Sequence, residues 1–142
     1  MIFENTDLWF AAANGCPDAL LHLSEDALEA GYSGKVPLQE GLIVAETLAR
    51  LAAAADKAEN YASLARILYY RSQHASDNGD DASAYVLEVE ASSLLTMGAE
   101  MGNAGCVQVL ADYGHHLAPE AIALVGINQP LIVTLTSPAG SA

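Results

Sequence analysis

The densest group of reactive side chains in this 142-residue sequence is Asp112, His115 and His116. Three-residue spacing sets Asp112 and His115 on one face of a helix, and a carboxylate beside two imidazoles is the raw material of a metal site or a hydrolytic acid–base pair. A metal centre needs three or four converging ligands, and no second Glu-x-x-His or His-x-x-x-His occurs. A solvated helix end accounts for the pair more simply. His22 and His74 stand alone, and His22, on a mostly apolar helix, is expected to be partly buried and hydrogen-bonded. Cys16 precedes a helix start, where the dipole lowers a thiol pKa; the surrounding negative charge opposes that effect, and both Cys16 and Cys106 read as packing residues. Asp77-Asn78-Gly79-Asp80-Asp81 gathers oxygen ligands but lacks the alternate spacing and distal Glu of an EF-hand loop, so it reads as a turn followed by a helix cap. No Gly-rich phosphate loop, nucleophile elbow or cofactor fingerprint appears. The expectation is a protein without cofactor, metal or catalytic activity. Tyr69-Tyr70 carries different information: neighbours on a helix point about 100° apart, so an inward Tyr69 places Tyr70 at a rim, where aromatic side chains anchor interfaces.

Those side chains must be held by helices. Hydrophobic residues make up 52% of the chain, too many for a disordered one. Alanine, the best helix former, supplies 27 of them, and β-branched residues are sparse before the last dozen positions, so the fold class is all-α. Charge restricts the partners. Five Lys and Arg against 18 Asp and Glu give −13, and the five cations, Lys35, Arg50, Lys57, Arg66 and Arg71, are scattered, which excludes a phosphate-binding surface and disfavours anionic membranes. The first residues lack the cations and apolar run of a secretory signal, and no stretch is long enough to span a bilayer. Two cysteines make no disulfide framework. A cytoplasmic protein is expected.

Punctuation and periodicity predict six helices. The first runs from Pro17, suited to a first helical turn, to Ala30, with Ala19, Leu20, Leu23, Ala27 and Leu28 inward and Gly31 as its stop; Tyr32 to Val36 form a loop. The second runs from Pro37 to about Ala55 on Leu42, Ala45, Leu48, Ala49 and Ala52. A third, from about Ala58 to Ser76, turns Tyr61, Leu64, Ala65, Leu68 and Tyr69 inward. Asp80 and Asp81 cap a fourth that reaches about Met101. The fifth spans Ala104 to about His115 with Val107, Leu110 and Ala111 inward, and Pro119 opens a short sixth through Val125. Residues 130–136, rich in β-branched and apolar types, read as extended. The division is a helical domain over 1–128 and a tail over 129–142.

Self-comparison reveals a repeat. A shift of 87 sets Ala12, Gly15, Leu23 and Glu25 on Ala99, Gly102, Leu110 and Asp112. A shift of 41 sets Ala12, Leu23 and Ser24 on Ala53, Leu64 and Ala65, and a shift of 46 sets Ala45 and Ala53 on Ala91 and Ala99. Small residues recur where helix backbones approach, as stacked helix pairs require. Ala12 to Ala19 with Leu23-Ser24, then Tyr32 to Pro37, then Ala45 and Arg50 to Ala53 resemble one full Sel1-like repeat, the longer-looped relative of the tetratricopeptide repeat. Ala99 to Ala104 with Leu110-Ala111 resembles the start of another. The resemblance covers roughly residues 9–125 and departs from the pattern at Asp56-Lys57, where a glycine is expected, at Cys106, where alanine is usual, and at Ser24, where glycine follows the leucine.

The resemblance implies a right-handed superhelix of about three antiparallel helix pairs, a Sel1/TPR-like solenoid that lines a concave groove with the first helix of each pair. Its function would be that of a non-catalytic adaptor or scaffold. By that register Leu21, Glu25, Leu28 and Glu29 face the groove from the first unit, Arg66, Tyr69 and Tyr70 from the second, and Gln108, Asp112, His115 and His116 from the third. The partner is a basic or mixed basic and apolar protein or peptide. Two other readings stand beside this one: a small metal-binding or hydrolytic protein built on Asp112, His115 and His116, and a structural homo-oligomer joined through the tail. The tail is expected to cap the last helix pair, or else to pair with another chain.

Overall fold

The computed structural model describes residues 6–55 and 59–113. These form helices and no strand: α1 (Thr6–Ala13), α2 (Pro17–Tyr32), α3 (Leu38–Ala54), α4 (Glu59–Asp77), α5 (Asp81–Glu100) and α6 (Ala104–Tyr113). The expected helix after Pro119, the tail, and the histidines at 115 and 116 lie outside the described residues.

The apolar faces of α2 to α5 are those that periodicity predicts. Leu20, Leu23, Leu42, Leu64, Leu94 and Leu95 are almost fully buried, and Ala27, Ala45, Ala49, Ala52, Ala65 and Ala91 fill the gaps between them. Helices adjacent in sequence pack together, most extensively α2 with α3 and α4 with α5. In addition α2 touches α4 and α4 touches α6, whereas the backbones of α3 and α5 do not approach each other.

Periodicity does not reveal α1. Eight residues are too few for a helix stable by itself; tertiary contact supplies what propensity lacks, because Leu8, Trp9, Ala11 and Ala12 join a cluster with Ala19, Leu20 and Leu23 of α2 and Leu48 and Ala52 of α3. The helix ends at Gly15, whose φ of 84° suits a residue without Cβ. Gly15 N–H donates to the Ala12 carbonyl at 2.9 Å and Cys16 N–H to that of Ala11 at 3.1 Å. At an offset of 87 residues the same turn closes α5: Gly102 has φ of 85° and donates to Ala99, and Asn103 donates to Gly98, both at 2.9 Å.

Two sequence expectations require correction. Gly31 does not stop α2; it is buried within the helix, which continues to Tyr32. It lies where α3 approaches most closely, and the glycine that this approach requires is Gly41 of α3, on which a Cβ would lie 2.8 Å from Gly31 Cα and from the Ala27 carbonyl oxygen. The inward face of α6 is also rotated. Cys106 is fully buried and Val109 and Leu110 pack partly against the core, while Val107 and Ala111 are exposed. Asn103 caps α6, its side-chain oxygen accepting the Cys106 N–H at 2.9 Å.

Polar groups tie the helices at defined points. Ser24 Oγ donates to the Ala45 carbonyl at 2.7 Å, and Asn60 Nδ2 to the Ala52 carbonyl at 2.9 Å, joining the start of α4 to the end of α3. Arg50 of α3 crosses to α5 with a two-pronged pair to Glu90 at 2.6 and 2.7 Å, and its Nε reaches Glu46 at 2.7 Å. Arg71 of α4 also pairs with Glu46. Hydrogen bonding to Glu90 is the main force that pushes the Arg50 pKa above its ordinary value, against an opposing effect of burial. Asp80 caps α5 as expected, accepting the Ser83 N–H at 3.1 Å. Among the described residues no helix is long and apolar enough to cross a membrane.

Candidate functional site

Helical periodicity collects Leu21, Glu25, Leu28, Glu29 and Tyr32 on one face of α2, and Arg66 and Tyr70, four residues apart, on one face of α4. The approach of α2 to α4 brings these faces together. Arg66 pairs with Glu25, and its guanidinium carbon lies 5.5 Å from the centre of the Tyr70 ring, within reach of a cation–π attraction. The Tyr70 ring meets that of Tyr32 edge to face, with centroids 5.6 Å apart and planes inclined at 64°. Glu25, Leu28, Glu29, Tyr32 and Tyr70 line an open cleft of about 310 Å³. Leu28 forms its buried floor; both glutamates are exposed. Partial burial, followed by the proximity of Tyr70 and Asp77, raises the Tyr32 pKa and keeps its hydroxyl protonated.

The other predicted groove residues lie elsewhere. Leu21 is half-buried and packs against both apolar clusters. Tyr69 turns into the molecule, its hydroxyl 2.9 Å from Ser92 Oγ, while Tyr70 takes the rim as their angular separation demands. Burial chiefly raises the Tyr69 pKa; the Ser92 bond opposes this and Glu88 adds to it. Gln108 and Asp112 are exposed on α6 and bond to each other, Gln108 Nε2 donating to the two carboxylate oxygens at 3.0 and 3.1 Å. His115 and His116 lie outside the described residues.

Tyr32 is the cleft residue that the sequence reading missed. Its spacing of seven from Glu25 marks the same helical face, but taking Gly31 as a stop assigned it to a loop. His22, expected to be partly buried, is exposed with Nε2 3.7 Å from Asp26, since it lies on the side of α2 away from the core. Among the described residues no group of three or more His, Cys, Asp or Glu is placed to hold a metal ion.

No protein-family model matches this chain, and no curated protein and no solved structure matches it. The cleft sets carboxylates and aromatic rings around an apolar floor, an arrangement that attracts cations with an apolar stem.

Proposed function

We propose that the chain is a non-catalytic adaptor: a Sel1-like, right-handed solenoid of antiparallel helix pairs that receives a basic or mixed basic and apolar segment of a protein partner along α2, α4 and α6. The observation that carries this reading is the cleft that Glu25, Leu28, Glu29 and Tyr32 of α2 build with Tyr70 of α4. The helix contacts support it: α2, α4 and α6 touch in series while the backbones of α3 and α5 stay apart, as expected of the inner and outer helices of a bent stack. The equivalent turns at Gly15 and Gly102 support the repeat frame. A net charge of −13 favours cationic partners and disfavours nucleic acid. On this reading the protein needs no cofactor and works in the cytoplasm.

The test is capture of partners from the source organism's lysate, followed by affinity measurement with the purified partner. Tyr70→Ala is expected to weaken binding by about 1–2 kcal/mol or more, the loss typical of an aromatic interface anchor, with the helical circular dichroism unchanged. Equal affinity in the folded variant would place the binding surface elsewhere.

A further inference from the structure

The two carboxylates of the cleft differ in occupancy. Glu25 already holds the guanidinium of Arg66, which also lies against Tyr70. Glu29, one helical turn further along α2, has no ion-pair or hydrogen-bond partner for its carboxylate among the described residues, and it is exposed beside the Tyr32 and Tyr70 rings. The chain thus satisfies one carboxylate beside a tyrosine ring with its own arginine and leaves a second carboxylate beside the same ring open.

We propose that Glu29, Leu28, Tyr32 and Tyr70 form a receptor for a single arginine side chain of the partner, which rests on the adaptor reading above and names the residue that the cleft selects. The guanidinium pairs with Glu29 and lies against the tyrosine rings, as Arg66 does with Glu25 and Tyr70, while the aliphatic stem covers Leu28. Three features select arginine. Its planar, weakly hydrated cation can stack on a ring and hydrogen-bond a carboxylate at once, which the compact, strongly hydrated lysine ammonium does less well. A quaternary ammonium has no N–H for the carboxylates. Anionic ligands are repelled by Glu29, whose charge, unlike that of Glu25, no arginine of the chain offsets. The cleft is open to solvent and about 310 Å³ in volume, so a side chain projecting from a protein partner can enter it from outside.

The experiment is a titration of the full chain with Nα-acetyl-arginine amide, its lysine counterpart and its neutral, near-isosteric citrulline counterpart, following the ring resonances of Tyr32 and Tyr70 by NMR. Saturable shifts at both rings are expected, with arginine binding about fivefold or more tighter than lysine or citrulline. Glu29→Gln and, separately, Tyr32→Leu should each remove most of that preference while circular dichroism stays that of the parent. Equal affinity for the three amides, an absence of shifts at these rings, or an unchanged preference in Glu29→Gln would overturn the proposal. Partner binding that depends on Tyr70 without any arginine preference would sink this proposal and leave the adaptor standing. An arginine-selective cleft in a protein whose partner binding ignores Tyr70→Ala would uphold an arginine site and overturn its use by the partner, whose binding surface would then lie elsewhere.

Discussion

Cys106 shows how one residue can be assigned from its surroundings. Its side chain is fully buried, and burial drives the thiol pKa from 9.0 up to about 11. Because the thiolate is the nucleophile, Cys106 should resist a disulfide reagent at about pH 8 until the protein is unfolded, whereas the half-buried Cys16 should react in the native state. Mass spectrometry after brief labelling distinguishes one modified thiol from two; rapid double labelling of folded protein would contradict this placement. The same shift affects stability. The fold holds the Cys106 proton more tightly than the unfolded chain does, so its contribution is intact below about pH 9 and is lost as the pH rises towards 11. Tyr32 and Tyr69, both raised mainly by burial, act in the same direction. The melting temperature should therefore fall in this alkaline window, and Cys106→Ala should fall less steeply, with a parallel fall marking the thiol as irrelevant. Assigning Cys106 to the core was possible from sequence, because an offset of 87 residues sets it on Ala19. The raised pKa was not, since it depends on which neighbours exclude water.

Helices were legible wherever the apolar stripe was long, as in α2 to α5, and illegible where a neighbour supplied the stability, as in α1. Gly31 marks the boundary between these cases. A glycine near the end of a periodic stretch reads equally as a stop or as a point of close approach, and only the partner helix decides between them. The consequence reached the candidate site, because ending α2 early removed Tyr32 from its face. The close approach also yields a directional prediction. Alanine is the better helix former by about 1 kcal/mol, yet a Cβ at Gly41 would meet Gly31 and Ala27 backbone atoms at 2.8 Å, which cannot rotate away as a side chain would. Gly41→Ala should destabilise the protein by about 1–3 kcal/mol, the usual cost of overpacking. At Gly31 the added carbon would sit 3.4 Å from its neighbours, an ordinary contact, so Gly31→Ala should be near neutral. Urea unfolding of the two variants provides the comparison; a Gly41→Ala as neutral as Gly31→Ala would show that α2 and α3 can move apart without loss.

At the scale of the whole molecule, the question is what makes successive helix pairs fold as one. Apolar contact couples α3 to α4, but α3 and α5 have no backbone approach, and the gap between them is bridged by Arg50. Sequence could not show this network, because its partners come from positions 46, 50, 71 and 90, and pairs across three helices have no periodic signature. Glu90 is 7% exposed, and Arg50 is its sole cationic partner among the described residues. Removing Arg50 strands a buried carboxylate, a change that costs about 3–5 kcal/mol for a fully buried pair, and the part-exposure of Arg50 lowers the expectation to about 2–3 kcal/mol. Because the loss falls between helix pairs, Arg50→Ala should also loosen their coupling. Trp9, the single tryptophan, packs in the cluster of α1, α2 and α3, so its fluorescence reports that end of the molecule, while far-ultraviolet circular dichroism reports all of the helices. In the parent protein the two urea transitions should coincide; in Arg50→Ala they should shift to lower denaturant and separate. Replacing both partners, as Arg50→Met with Glu90→Leu, removes the stranded charge and should recover much of the midpoint. If Arg50→Ala keeps coincident transitions at an unchanged midpoint, the ion pairs are surface ornaments, and the apolar seam between α3 and α4 is sufficient to make the stack cooperative.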